Sequence, residues 1–321
     1  MLLKFYKHRC ANLYQGRRSL PVLHATPSKA RIEASTACQL ACVACPTPQG
    51  IINTHLGTGL LKSADFEKFL VQYPQIRSVE LSNFGEVFLN PQLVQIFEIA
   101  HQRAVEITLS NGVNFNRVSP QTLQAMVDYQ VAQVTVALDG VTQETYQQYR
   151  VRGRLETVLN NVRQLNQIKQ QSNSEFPVLT WQFVEFDHNR HEIEQARQMA
   201  QELGMAFVIK RDWRLPRIDP PARPGESRKL IEHCLQLWHQ PQINFDGRLL
   251  GCCCNYWSDF GGNVFESDLQ QQLNQPKIQY ARAMLQGHQP PKAEIACTRC
   301  IYYKKMLDTG NFITPDEVLQ G

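Results

Sequence analysis

The chain has 321 residues, of which 33 are basic, 29 are acidic and 10 are cysteine, with a formal net charge of +4. The basic residues occur in short scattered groups, so the composition gives no reason to expect a nucleic-acid partner. The N-terminus lacks the apolar core of a signal peptide, and no later run approaches the roughly 18 apolar residues of a membrane span. We therefore expect a cytoplasmic protein with no membrane partner, in which clustered cysteines bind metal more often than they form disulfides.

Six β-rich stretches alternate with amphipathic helical patterns over the first two thirds of the chain. Six strand-helix units imply a parallel sheet, either a barrel or an open α/β sheet. In both architectures the active site forms from loops at the C-terminal ends of the strands. The predicted strands are 30–35, 76–82, 105–110, 132–138, 178–185 and 205–210.

Segment 216–228 contains four prolines and marks a change of composition, which predicts a linker. It divides an N-terminal extension, 1–29, and an α/β core, 30–215, from a small domain, 229–321. This last domain has short strand-like pieces, two weak helices and little apolar periodicity, yet it holds six of the ten cysteines. A segment with so little apparent core is expected to need stabilisation by a metal.

Three cysteines follow the first predicted strand: Cys38, Cys42 and Cys45 have the spacing C-x3-C-x2-C. Zinc prefers four ligands in a closed tetrahedron, so three thiols without a nearby histidine make a poor structural zinc site. Thiolates also suit iron-sulfur clusters, where three thiols could hold three corners of a cubane and leave one iron free. The alternative is an adventitious metal site or three buried thiols.

With this triplet in a strand-helix context, the sequence resembles the radical S-adenosylmethionine superfamily from about residue 30 to residue 300. The resemblance implies a partial (β/α)6 TIM-like barrel and a 4Fe-4S cluster held by the three cysteines. It also implies that the free iron binds S-adenosylmethionine, and that reductive cleavage then releases a 5'-deoxyadenosyl radical. The electron would come from an external donor such as flavodoxin or ferredoxin.

Three further stretches carry the same resemblance and assign residues to the cofactor. "NFGEVFLNP" is similar to the Gly-Gly-Glu motif, with Phe84 in place of the first glycine, so Gly85 and Glu86 would receive the ammonium of S-adenosylmethionine. "TLSNG" implies that Ser110 reaches the ribose or carboxylate, and "VALDGVTQETYQQYR" places Arg150 where a residue pairs with the carboxylate. Considered without this context, Glu86 would be an exposed loop acid and Arg150 a helix-surface charge.

A second set of cysteines lies in the C-terminal part of the chain. Cys234, Gly247 and Cys252 follow C-x(9 to 15)-G-x4-C, and Cys297 and Cys300 form "CTRC". The pattern resembles the twitch form of the SPASM auxiliary-cluster domain, which implies a small α+β domain and one auxiliary 4Fe-4S cluster on these four cysteines. A zinc site made by the same thiolates is the alternative, and the two cysteines after Cys252 could replace it after a small shift in register.

An auxiliary cluster closed by four cysteines has no free iron for the substrate, so its simplest role is to accept or relay one electron. The spacing most resembles that of enzymes that oxidise an aminocyclitol alcohol, which implies a two-electron oxidation of a small hydroxylated, sugar-like substrate. This chemistry needs a polar group to take the alcohol proton. Arg211 and Asp212, after the sixth strand, are the catalytic candidates, although a linker salt bridge would explain them equally well.

Two other functions stay open. Many relatives with such a domain modify ribosomal peptides, so the substrate could be a peptide or protein rather than a small molecule. A non-enzymatic metal-binding scaffold is the third reading, but it leaves the match at Gly85, Glu86 and Arg150 unexplained.

Overall fold

The computed structural model describes residues 22–212 and 235–320 of the chain. The predicted linker 216–228, the predicted boundaries at 215 and 229, and the first 21 residues of the N-terminal extension lie outside these ranges.

One eight-stranded sheet runs through the described residues in the order β6-β5-β4-β3-β2-β1-β7-β8. Neighbouring strands are parallel from β6 to β7, and only the β7–β8 pair is antiparallel. A parallel pair requires a crossover, and helices between the strands provide it. The strands are β1 (Lys29–Ile32), β2 (Ser78–Glu80), β3 (Glu106–Val113), β4 (Gln133–Ala137), β5 (Val178–Glu185), β6 (Ala206–Arg211), β7 (Gln242–Ile243) and β8 (Leu249–Gly251).

The helices of the first part cover the sheet with their apolar faces, and two of them begin at a capping side chain: Ser119 accepts from the Thr122 amide, and Thr142 accepts from the Thr145 amide. These helices are α1 (Ile51–Leu56), α2 (Ser63–Gln72), α3 (Leu93–Gln102), α4 (Pro120–Asp128), α5 (Gln143–Tyr149), α6 (Leu155–Gln171) and α7 (Ile193–Glu202). The C-terminal part adds α8 (Gln236–His239), α9 (Leu269–Leu273), α10 (Pro276–Leu285), α11 (Ile301–Thr309) and α12 (Pro315–Gln320).

All six strands predicted from the sequence are confirmed, with ends shifted by a few residues. The prediction of a parallel α/β sheet is confirmed as well. The short helices α1 and α5 were not predicted, because each has only six or seven residues and too few turns for a helical period to show.

The C-terminal part does not form a sheet of its own within the described residues. Its hairpin, β7 and β8, continues the main sheet, because Ile32 of β1 pairs with Ile243 of β7 in parallel register. The expectation of little core is wrong for this part, since Phe260, Val264 and Leu269 are fully or nearly fully buried. They belong to the same hydrophobic cluster as the strands.

The side chain of Tyr73, at the end of α2, joins the two parts. Its ring packs edge-on against Phe69, whose ring in turn contacts Phe265 of the C-terminal part. The Tyr73 hydroxyl donates to the Ser267 carbonyl at 2.5 Å, and the Val264 carbonyl lies 3.1 Å away. Burial raises the pKa of Tyr73 to about 12, so this hydroxyl stays a donor.

None of the helices in residues 22–212 and 235–320 is long and apolar enough to cross a membrane.

We predict that Tyr73→Phe lowers the free energy of unfolding of the cluster-free protein by about 1 to 2 kcal/mol. The substitution leaves a buried carbonyl without its donor, and such losses have about this magnitude. Urea denaturation followed by tyrosine-independent far-UV circular dichroism measures it. Tyr280→Phe is the matched control, because its hydroxyl donates to the Pro290 carbonyl at an exposed position where water can replace it. Equal effects of the two substitutions would contradict the role given to Tyr73.

Candidate functional site

The cysteine loop, defined as residues 36–47, leaves β1 at the C-terminal end of the parallel strands. Its backbone is fastened to the end of α5 and the segment that follows, because the Val43 amide donates to the Tyr149 carbonyl at 3.3 Å and the Ala41 amide to the Val151 carbonyl at 3.0 Å. The loop holds the three predicted metal ligands, Cys38, Cys42 and Cys45. The position is the one that active-site loops take in α/β folds.

Gly85 lies against the backbone at the start of the cysteine loop. A Cβ atom at this position would lie 1.9 Å from the Ser35 carbonyl oxygen and 2.8 Å from the Ala37 carbonyl oxygen. No side chain fits at such distances, so the glycine is required by the packing of two backbones. Its predicted contact with the ammonium of S-adenosylmethionine stays a prediction.

Glu86 is buried, with 3% of its surface exposed, and is therefore not an exposed loop acid. Its amide donates to the Ala37 carbonyl at 2.7 Å, and its carboxylate accepts from the Asn114 amide at 2.7 Å. Burial raises the pKa of this carboxyl to about 7, although the Asn114 and Phe88 amides, which donate to it, oppose the shift. The side chain thus connects the cysteine loop to the segment after β3, and its role as an acceptor for the cofactor stays a prediction.

Glu33, which was not predicted as a site residue, binds the backbone of the segment that contains Gly85. Its carboxylate accepts from the Phe84 amide at 3.1 Å and from the Gly85 amide at 3.2 Å. Only 1% of its surface is exposed, and burial raises its pKa to about 7. The one available signal was the period of two, which, continued one residue past β1, puts Glu33 on the same face as Arg31 and opposite to the buried Ala30 and Ile32.

Arg150 forms a buried ion pair with Asp139 and is not a helix-surface charge. Its Nε donates to the Asp139 carboxylate at 2.6 Å, and the two side chains are 13% and 0% exposed. Its Nη1 also donates to the sulfur of Cys42 at 3.8 Å. The guanidinium is therefore held beside the cysteine loop, and its pairing with a cofactor carboxylate stays a prediction.

Ser110 lies in β3, where its amide donates to the Glu80 carboxylate at 2.8 Å. Its hydroxyl donates to the side chain of Gln133 on the neighbouring strand at 3.4 Å. Ser110 thus lies among polar side chains of the neighbouring strands. Its contact with the ribose or carboxylate of the cofactor stays a prediction.

The two catalytic candidates lie at the end of β6. Arg211 is exposed and shares a strand face with Phe207, whose ring lies 4.9 Å from the Arg197 guanidinium of α7. The alternation of the strand thus turns Arg211 toward the helices, while the buried Asp212 follows the strand. Their catalytic role stays a prediction.

The second group of cysteines lines a pocket in the C-terminal part of the chain, called the second pocket below. Its lining is mostly apolar. Four thiols line it, together with Trp257, Phe260 and Tyr303. Cys234 lies outside the described residues, and Cys254 stands among the lining residues, whereas the buried Cys253 does not. The four thiols belong to Cys252, Cys254, Cys297 and Cys300.

Burial opposes ionisation of the thiols at both sites. It raises the pKa of Cys38 to about 12, with the charge of Glu86 as the next cause, and it raises that of Cys297 to about 12. It also raises the pKa of Cys42, against the opposing effect of Arg150. The thiols of each site lie near enough to affect one another, because Cys45 contributes to the raised pKa of Cys38 and Cys297 contributes to that of Cys252.

Thiols are the donors at both places, and thiolates suit iron-sulfur clusters. Within the described ranges, no three His, Cys, Asp or Glu side chains converge closely enough to hold one metal ion. A cluster binds each thiolate through a different iron and so accepts a wider separation of its ligands. Because Cys234 is not described, zinc at the second site stays an alternative.

The sequence matches no protein-family model, and it matches no curated protein. Solved structures do match the fold. Streptococcus suis SuiB gives a TM-score of 0.63 at 12% identity, covering 87% of this chain and 76% of that protein. A structure of anSMEcpe with bound AdoMet gives 0.56 at 12% identity, covering 86% and 87%. BtrN in complex with AdoMet and 2-DOIA gives 0.50 at 12% identity, covering 87% and 94%.

These proteins are radical S-adenosylmethionine enzymes, and the chain shares their α/β fold with a predominantly parallel sheet. At 12% identity the likeness extends to the fold alone.

We predict that Glu33→Gln changes how stability depends on pH. The pKa of Glu33 is raised to about 7 in the folded protein from an ordinary value of 4.5, so the folded state binds this proton more tightly than the unfolded state. The contribution is therefore favourable below about pH 4.5 and is lost as the pH rises to about 7. The variant, which cannot ionise, should lose less stability over this interval, by up to about 3 kcal/mol.

Urea unfolding of the cluster-free protein at a series of pH values measures this difference. Glu202→Gln, at an exposed position on α7, is the control and should follow the parent protein. Parallel curves for Glu33→Gln and the parent would show that Glu33 is ionised at no cost in the folded state.

Proposed function

We propose that the chain is a radical S-adenosylmethionine enzyme that oxidises a small hydroxylated substrate by two electrons. The observation that carries this proposal is the cysteine loop at the C-terminal end of β1, in a fold shared with proteins solved with bound AdoMet. When bound, the 4Fe-4S cluster and S-adenosylmethionine supply a 5'-deoxyadenosyl radical that removes a hydrogen atom from the substrate.

The residues around the loop are suited to hold such a cofactor. Cys38, Cys42 and Cys45 would bind the cluster, and the burial of the loop would exclude water from it. Four residues near them would bind S-adenosylmethionine through backbone and side-chain polar groups. They are Gly85, Glu86, Ser110 and Arg150.

The second pocket would hold the auxiliary 4Fe-4S cluster. Cys252, Cys297 and Cys300 line it in an apolar setting that favours electron transfer over solvent exchange, and Cys234 would complete the set. In this proposal Arg211 or Asp212 takes the substrate proton, a flavodoxin or ferredoxin delivers the first electron, and the enzyme works in the cytoplasm.

Modification of a ribosomal peptide is the second candidate function. It is favoured by the likeness to SuiB solved with precursor peptide SuiA, which has a TM-score of 0.60 at 12% identity and covers 87% of this chain and 68% of that protein. A peptide substrate would use the same radical chemistry at the same loop.

We predict that the reconstituted, reduced protein cleaves S-adenosylmethionine to 5'-deoxyadenosine and methionine, and that Cys42→Ala abolishes this activity. The substitution removes one of the three cluster ligands and with it the sulfur atom to which the Arg150 guanidinium donates. Chromatographic measurement of 5'-deoxyadenosine tests it under anaerobic conditions, with Cys253→Ala as a cysteine control outside the loop. Unchanged product formation by Cys42→Ala would contradict the class of enzyme proposed.

We predict about eight iron atoms per chain after reconstitution, against about four if the second pocket holds zinc. Replacing Cys297 and Cys300 together with Ala should remove about half of the iron while cleavage of S-adenosylmethionine continues. Iron and zinc analysis with Mössbauer spectroscopy measures both sites. Four irons and one tightly bound zinc in an active preparation would contradict the electron-accepting role of the second site.

A further inference from the structure

Asn114 follows β3 in the chain and lies against the cysteine loop. Only 3% of its surface is exposed, and its Nδ2 donates to the sulfur of Cys38 at 3.6 Å. Because sulfur is larger than oxygen, this separation suits an N–H···S hydrogen bond. A buried, neutral side-chain donor thus reaches a sulfur atom that is proposed to bind iron.

The orientation of the Asn114 amide is determined by a backbone donor. The Asn116 amide donates to the Oδ1 of Asn114 at 3.0 Å. The oxygen and the nitrogen of a side-chain amide are assigned from such hydrogen bonds. If this amide were turned over, its NH2 group would face the backbone N–H of Asn116, and two donors would meet. The Oδ1 atom therefore faces Asn116, and the Nδ2 atom faces Cys38.

Gln39, the next residue after Cys38 in the cysteine loop, holds the same amide from the other side. Its Nε2 donates to the Oδ1 of Asn114 at 2.9 Å, and its Oε1 accepts from Nδ2 at 3.4 Å. The two hydrogens of Nδ2 thus have one acceptor each, the Gln39 oxygen and the Cys38 sulfur. The donation to sulfur belongs to a side chain whose polar atoms are all engaged.

The backbone of Asn114 is held as well. Its amide donates to the Glu86 carboxylate at 2.7 Å, and its carbonyl accepts from the Asn116 side chain at 3.0 Å. The Glu86 amide in turn donates to the Ala37 carbonyl of the cysteine loop at 2.7 Å. The segment that carries Asn114 is therefore fastened to the loop that carries its acceptor, and the hydrogen bond needs no rearrangement to form.

The surroundings of the Cys38 sulfur make a donor important there. Burial and, after it, the charge of Glu86 raise the pKa of Cys38 to about 12, so negative charge on this sulfur is disfavoured. A reduced 4Fe-4S cluster carries one more negative charge than the oxidised cluster, and its thiolates share that charge. Hydrogen bonds to the sulfurs are among the properties that set the reduction potential. A donor at Cys38 stabilises the reduced state more than the oxidised state.

We propose that Asn114 is a positioning residue that acts through the sulfur of Cys38 and raises the reduction potential of the cluster at the cysteine loop, called the first cluster below. Arg150, which donates to the sulfur of Cys42 at 3.8 Å, acts in the same direction. The step concerned is the transfer of one electron from the external donor to this cluster. The inference rests on the proposed function, in which Cys38 and Cys42 bind the cluster.

A redox titration followed by EPR tests it on the full chain with its clusters, without S-adenosylmethionine. The signal of the first cluster is the one that Cys42→Ala lacks. Asn114→Leu keeps the size of the side chain and removes the donor. We expect the equilibrium constant for reduction of the first cluster to fall roughly tenfold, which corresponds to about 59 mV for a one-electron couple.

Asn161→Leu is the matched control for this titration. It removes a side-chain amide that donates to the carbonyl of Phe115, the residue after Asn114, at 2.9 Å. It therefore disturbs the same segment and leaves the donor to the Cys38 sulfur in place. The control should keep the potential of the parent protein. An unchanged potential in cluster-loaded Asn114→Leu would overturn the proposal, as would an equal decrease in the two variants.

The rate of 5'-deoxyadenosine formation with two reductants separates this role from a structural one. With reduced flavodoxin, Asn114→Leu should be slower than the parent protein, because less of its first cluster is reduced. Titanium(III) citrate is a stronger reductant and should restore most of the rate. A loss of equal size with both reductants would mean that the substitution only damages the site, and the proposal would be wrong.

Pulsed EPR measures the contact itself and does not require an Asn114 variant that loads its cluster. The protein is labelled with nitrogen-15 in the side chains of asparagine and carries Cys297→Ala and Cys300→Ala, so that only the first cluster remains. We expect a nitrogen-15 coupling to the reduced cluster, and its absence would overturn the inference. A chain that forms 5'-deoxyadenosine without this coupling loses the role of Asn114 alone, whereas a chain that loads no cluster at the loop loses the proposed function as well.

Discussion

The close approach of Gly85 to the carbonyl of Ser35 is the contact on which the cysteine loop depends. Two backbones meet where any side chain would collide, and the Glu86 amide then reaches the Ala37 carbonyl at 2.7 Å. The hydroxyl of Thr47 at the far end of the loop donates to the Phe84 carbonyl at 2.7 Å. One short segment after β2 thus holds both ends of the loop.

The same burial that fixes the loop makes its thiols hard to ionise. Cys38 and Cys42 have raised pKa values for this reason, and the Arg150 guanidinium beside Cys42 is the main opposing influence there. Metal binding must then displace protons, which couples loading to pH and to folding. A buried ion pair such as Arg150 and Asp139 is weak evidence for stability. Its clearer consequence here is orientation, because Asp139 also accepts from the Val184 amide at 2.7 Å and so ties Arg150 to β5.

The strands and the long helices were predictable from the sequence because period and length are local properties. The position of the cysteine loop followed from the order of elements. Glu33 was not predictable as a part of the site, because its role depends on the Phe84 and Gly85 amides, which come from a distant part of the sequence. The extension of the sheet by β7 was also hidden, since a strand of two residues has no period and its pairing with β1 spans about two hundred residues of sequence.

That pairing determines how the two cysteine sites are related. Because β7 lies beside β1, the loop after β8 meets the loop after β2, where the Asn83 side chain donates to the Cys253 carbonyl at 3.1 Å. The amide of Cys253 in turn donates to the Gln236 side chain at 2.7 Å, which ties α8 to the same loop. The second pocket is thus fastened to the sheet whose β1 carries the cysteine loop.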